Sequence, residues 1–218
     1  MSKTKASPGV PAEVGVEVSE ETTIEDITSL LHVKCVGLSE LMFNRFTSIE
    51  EAESMPPEDK LYLDDERQLF LPSNNVIAFL GSRQKSCAAK FKGKKREPFC
   101  EGILANVTID PMEIPITREG ERIKFSKFIA DKDEEAGIYV AHHKALVKKG
   151  SSYIPLPTHR PVIKLPWEVE FDVMLLENDD GITVNLLSSW IIKGGLSVAF
   201  GSYRPAYGRF LAKVTQVR

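Results

Sequence analysis

At 218 residues, 42% of them hydrophobic and 27% charged, the chain is long enough for one sizeable core and has the composition of an ordinary globular domain. Its formal net charge of −3 argues against a uniformly basic nucleic-acid binder, and no apolar run reaches the roughly 18 residues of a membrane-spanning helix. Three cysteines (Cys35, Cys87 and Cys100) lack metal-ligand spacing and read as reduced thiols in a cytoplasmic protein, with no disulfide framework, metal or cofactor expected.

Residues 1–27 combine Ala, Pro, Gly and Val with Glu13, Glu17, Glu20, Glu21, Glu25 and Asp26 against Lys3 and Lys5, and read as a disordered acidic tail. Residues 28–218 read as a single domain. Leu31, Val33 and Cys35 alternate with His32, Lys34 and Val36, the pattern of a strand with one buried face over 29–36. After Gly37 comes a loop, Leu38 to Phe46, and then an acidic stretch broken by Pro56-Pro57. Leu61–Leu63 and Leu69–Leu71 flank the acidic turn Asp64-Asp65-Glu66. Pro72-Ser73-Asn74-Asn75 supplies the start of a helix expected over about 73–91, followed by a strand over 103–109.

An insertion over about 110–166 comes next. Within it 118–136 is a charged excursion, Ile138 to Val147 alternates as a strand, and the Ser, Pro and Thr of 150–166 read as an irregular surface segment. Trp167, Val169, Phe171, Val173 and Leu175 alternate over acidic neighbours in the cleanest strand of the chain. Asn178 to Gly181 turns into a helix over 183–199 with Leu186, Leu187, Trp190, Ile191, Gly194, Gly195 and Val198 on one face. Two glycines on that face imply close docking against another backbone, since each weakens a helix by roughly 1 kcal/mol relative to alanine. A loop, Gly201 to Phe210, and a final strand to Val217 close the chain. The order is β-α-β-β-α-β, which predicts an α+β, ferredoxin-like antiparallel sheet with two helices on one face, plus inserted strands and loops.

No nucleophile elbow, zinc-protease helix or phosphate loop is present, so no enzyme activity is expected. His142 and His143 are neighbours on a strand, point to opposite faces, and so do not chelate one metal. The clearest chemical feature is the run Arg83, Lys85, Lys90, Lys92, Lys94, Lys95 and Arg96: seven cations in fourteen residues with no acid among them. Such a cluster favours a polyanion through phosphate contacts that depend on salt rather than sequence. Arg45, Arg204 and Arg209 add guanidinium forks in two loops, with Phe43, Tyr203 and Tyr207 as candidate base-stacking rings.

Three stretches carry a family resemblance: the first strand with Gly37-Leu38-Ser39-Glu40-Leu41-Met42-Phe43-Asn44-Arg45-Phe46, the helix entry Leu71-Pro72-Ser73-Asn74-Asn75-Val76-Ile77-Ala78-Phe79-Leu80, and the closing loop Gly201 to Phe210. Together they resemble the RAMP superfamily of CRISPR-associated proteins, particularly the backbone subunits that line up along guide RNA. The resemblance implies antiviral defence, single-stranded RNA or DNA held along basic loops, side-by-side assembly with copies of itself or partner subunits, and no membrane. The closing loop has fewer glycines than the family's richest versions, and no acidic residue is assignable as a cutting residue. The residues leave a second reading open: a phage-type structural or assembly protein whose basic run meets an acidic partner surface.

Overall fold

A computed structural model of the chain describes residues 27–45, 55–130, 136–149 and 152–218. The acidic tail up to residue 26 and Phe46 lie outside the described residues. The chain is α+β, with two antiparallel sheets and helices on the larger one.

The alternation in the first strand, β1 (Thr28–Gly37), buries Leu31, Val33 and Cys35 completely. It lies between β10 (Phe210–Gln216) and β9 (Glu168–Leu176), with Leu31 opposite Val173, Val33 opposite Phe171 and Cys35 opposite Val169. The other flank of β9 is shared. β4 (Val107–Asp110) pairs with Asp172 to Leu175, and β5 (Glu113–Arg118) pairs with Glu168 and Val169. Pro111, which has no N–H to donate, marks the break between them. β3 (Phe70–Pro72) and β6 (Glu121–Arg122) extend the sheet beyond β5. Reading across, the main path is β10-β1-β9-β5-β3.

The helix expected over 73–91 is two helices: α1 (Ser73–Gly81) and α2 (Cys87–Lys92). Ser82 is extended, and the Ser86 side chain caps α2 by accepting from Ala89 N–H at 3.1 Å. That serine cap restarts the chain on a new axis. The strand expected over 103–109 is corrected as well: residues up to 106 belong to α3 (Glu97–Asn106), which begins with a proline in its first turn, and only the stretch from Val107 to Asp110 is extended.

The largest correction concerns 150–166. This segment is the long strand β8 (Ser152–Ile163), which pairs with β7 (Ile138–Lys149) along its whole length and at its end with β2 (Leu41–Met42). Pro155, Pro157 and Pro161 are all odd-numbered, and an antiparallel residue points its N–H and C=O to the same side. Pro161 O accepts from Phe43 N–H at 3.0 Å, so the odd positions face away from β7. The prolines occupy only the side where a missing N–H breaks no bond to β7, which is why the strand tolerates them.

The closing helix α4 (Val184–Ser197) buries Leu187, Trp190, Ile191, Gly194 and Gly195, as its face predicts, while Leu186 is only partly buried. A Cβ on Gly194 would lie 2.5 Å from Cys87 Sγ, and one on Gly195 would lie 2.6 Å from the Phe210 carbonyl oxygen. The helix therefore rests directly on β10. In an exposed helix Gly→Ala gains roughly 1 kcal/mol. Here Gly195→Ala is expected to reverse sign and destabilise by about 1–3 kcal/mol, because a backbone carbonyl must move. Thermal unfolding checks this as a fall in Tm of about 2–4 °C per kcal/mol for a chain of this size.

Candidate nucleic-acid interface

The closing loop is positioned by backbone bonds to the segment after β1. Gly208 N–H donates to Glu40 O (2.7 Å), Ser202 N–H to Met42 O (2.8 Å), and Phe200 N–H to Gly208 O (3.0 Å). Gly208 has φ 74°, and a Cβ there would fall 2.1 Å from the Phe200 carbonyl oxygen. Only glycine fits that approach. Arg209 stays exposed at the foot of the loop, where Nε–H donates to Pro205 O (2.8 Å).

The basic run separates into two groups. Arg83 reaches Glu97 at 3.1 Å and Glu101 at 4.0 Å, tying the α1–α2 link to α3. Lys92 sits 4.0 Å over the ring of Phe99, and Arg96 Nη1–H donates to Gly93 O at 3.1 Å. These three cations have structural work within the chain. Lys85, Lys90, Lys94 and Lys95 are exposed, and among the described residues no carboxylate lies within ion-pair reach of them.

Lys85 and Lys90 also line one groove with Arg204 and Pro205, so the basic run and the closing loop meet although more than a hundred residues separate them in sequence. Arg204 is partly buried, and its Nη1–H donates to Ala199 O at 3.5 Å. Burial pushes its guanidinium below the ordinary range, opposed only by the neighbouring Cys87 thiol. Arg45 is exposed and lies 5.9 Å from the Tyr62 ring centroid; none of its described contacts joins it to the groove.

The rings behave differently from the sequence expectation. Phe43 is 1% exposed and meets Tyr62 edge-on at 5.4 Å inside the core, so it has no face to offer a base. Tyr203 and Tyr207 are partly buried beneath the β7–β8 hairpin. Tyr203 lies 4.8 Å from the His143 ring, has the Arg160 guanidinium 4.6 Å over it, and donates to Lys144 O at 3.2 Å. The Tyr207 hydroxyl and His143 Nε2 share a 3.2 Å hydrogen bond. Both tyrosines thus join the hairpin to the loop.

Arg160, missed in the sequence because three prolines disguise its strand, donates to Ser202 Oγ at 2.6 Å. Burial pushes its guanidinium down. His142 and His143 do face opposite sides: His142 meets His159 directly across the hairpin, Nδ1 to Nδ1 at 2.7 Å, while His143 turns to the tyrosines. Odd positions of β8 do not bond to β7, so His142 and His159 form a narrow pair whose side chains lie close. Among the described residues no group of three or more His, Cys, Asp or Glu is placed to hold a metal.

The face of the large sheet opposite the buried one is not a stacking platform. Its strands present His32, Lys34, Val36, Leu211, Lys213 and Thr215 beside Glu168, Glu170 and Asp172, with no Phe, Tyr or Trp among them and the His32 imidazole tied to carboxylates. Cross-strand pairs tie it together: His32 to Asp172 (2.7 Å) and Glu170 (3.1 Å), and Lys34 to Glu168 (3.1 Å). Its carboxylates oppose a phosphate backbone.

No family model matches the chain, and no curated protein matches it. Among solved structures it is similar to a chain in the cryo-EM structure of the type III-B Cmr-beta bound to cognate target RNA, with a TM-score of 0.54 at 12% identity over 89% of this chain. It spans 62% of that chain's length. It is also similar to Cmr6 from Pyrococcus furiosus, with a TM-score of 0.42 at 12% identity over 85% of this chain and 99% of that one. The first likeness is one of fold. No helix among the described residues is long and apolar enough to cross a membrane.

The hydrogen bond to Asp172 raises the His32 pKa above its ordinary 6.5; burial opposes it, and the charges of Asp172 and Glu170 add to the rise. A raised folded pKa adds stability that is complete below the unfolded value and lost as pH rises through the folded one. Urea midpoints of the native chain and His32→Gln are therefore expected to differ at about pH 5.5 and to converge by about pH 9. Equal differences at both values would remove the ion pair from the account of this sheet face.

Proposed function

We propose that this chain is a non-catalytic nucleic-acid-binding subunit of RAMP type. It holds single-stranded nucleic acid along the lysine ridge of 85–95 and the closing loop, and assembles side by side with partner subunits into a larger ribonucleoprotein. The observation that carries the reading is the meeting of Lys85, Lys90, Arg204 and Pro205 at one groove, with Lys94, Lys95 and Arg209 exposed nearby in sequence. Cations gathered without carboxylate partners, on a chain of net charge −3, are what a phosphate backbone recognises.

Two further observations support it. The strand order β10-β1-β9, with β4 and β5 on the far flank of β9, is the order that a ferredoxin-like β-α-β-β-α-β connectivity produces. The Cmr-beta structure whose fold this chain resembles is bound to cognate target RNA. On this reading the phosphate contacts come from Lys85, Lys90, Lys94, Lys95, Arg204 and Arg209. Arg83, Lys92 and Arg96 shape the ridge, and Arg45 marks a second, separate contact.

The first test is the ratio of absorbance at 260 and 280 nm of the purified protein before and after nuclease, which is expected to fall on digestion. The second is the salt dependence of binding to a fluorescent single-stranded oligonucleotide. Each phosphate contact adds about 0.7 to the slope of log K against log salt, so replacing Lys94, Lys95 and Arg209 by alanine is expected to reduce it by about 2. An unchanged slope removes these residues from the interface. Oligomers that carry no nucleic acid and bind none would favour the structural-protein reading instead.

A further inference from the structure

The groove where α2 meets the closing loop has properties that a simple lysine ridge lacks. It is an open groove of about 350 Å³, at the small end of the roughly 300–1,000 Å³ of ligand pockets, room for about one nucleotide unit. Ala89, Val198 and Pro205 give it apolar walls, while Lys85, Lys90 and Arg204 bring three cations to it.

Arg204 sharpens the point. A guanidinium withdrawn from water needs a compensating charge, or its burial opposes folding. Its Nη1–H donates to the Ala199 carbonyl at 3.5 Å, and among the described residues no carboxylate pairs with it. Lys85 is held at φ 51°, a left-handed conformation that a residue with a side chain adopts only when its surroundings impose it. Three cations thus line an apolar hollow, and among the described residues no carboxylate pairs with any of them.

We infer that this groove is a binding site for a single nucleotide unit. The phosphate sits on Arg204, Lys85 and Lys90, and the ribose or base rests on Ala89, Val198 and Pro205. The unit belongs to a bound strand if the proposed function holds, in which case the inference deepens that reading; a free nucleotide offers the same chemistry.

The test fills the groove without removing a charge. Ala89→Trp blocks it from α2 and Ser197→Trp from the end of α4, so two independent elements carry the substitution, and circular dichroism melting confirms that each variant is folded. Binding of a fluorescent uridine decamer and of adenosine monophosphate is measured for the full native chain, both blocked variants and Arg204→Ala. For a strand-bound unit, both blocked variants and Arg204→Ala are expected to weaken the decamer by about tenfold and to lower its salt slope, because each loses the phosphate seated on Arg204, Lys85 and Lys90. If the decamer binds the folded blocked variants as tightly as the native chain and the monophosphate does not bind, the groove is not the site, and the strand-binding proposal is untouched. If the monophosphate binds, is lost in the blocked variants, and the decamer does not bind at all, the groove stands with a free nucleotide as its ligand and the strand-binding proposal falls. If neither ligand binds the native chain, both fall.

Discussion

The seam between Glu40–Met42 and the loop from Gly201 to Gly208 sets the arrangement of everything that faces a ligand. It is a backbone seam: Gly208 donates to Glu40 and Ser202 donates to Met42. On one side of it lie β1 and β10 of the large sheet; on the other, β2 joins the hairpin of β7 and β8 through Leu41 and Met42. The loop is thereby held between the two sheets, and its side chains are distributed by that geometry. Tyr203 and Tyr207 turn beneath the hairpin toward His143, while Arg204 turns the other way, to α2.

This distribution separates cohesion from recognition. Aromatic rings that look available in the sequence are used to fasten layers: Phe43 on Tyr62, Tyr203 under Arg160, and Tyr207 on His143. What remains for a ligand is charge. Arg83 is paired with two glutamates and Lys92 lies on Phe99, whereas Lys85, Lys90, Lys94 and Lys95 have no carboxylate partner among the described residues. Exposed lysines are individually cheap to hydrate, so their clustering, together with a partly buried arginine that lacks a counterion, carries the functional reading. The opposite sheet face points the same way by contrast, because His32 and Lys34 there are already matched by Glu168, Glu170 and Asp172.

Much of the framework is legible in the sequence. Alternation in β1 and β9 and the glycine-bearing face of α4 marked the core, because a half-buried strand and a docked helix each repeat their apolar residues at their own geometric period. Three elements differ from their sequence patterns, and for two of them the reason is plain. The stretch from Val76 to Phe91 is apolar at both ends with only Gly81-Ser82 and Ser86 between to signal a break, and the break depends on Ser86 capping a new helix. β8 carries three prolines, which ordinarily end a strand, and their tolerance depends on all three facing away from β7.

The composition and order of this chain by themselves determined an α+β domain, the faces of its main strands and closing helix, and the concentration of positive charge between Arg83 and Arg96. Those follow from local period and residue type. Which of those charges are free, which rings are consumed by packing, and that Arg204 meets Lys85 and Lys90 at one groove were decided by tertiary structure alone. Ion pairing, burial and convergence are properties of distances between residues far apart in the chain, and no local pattern records them.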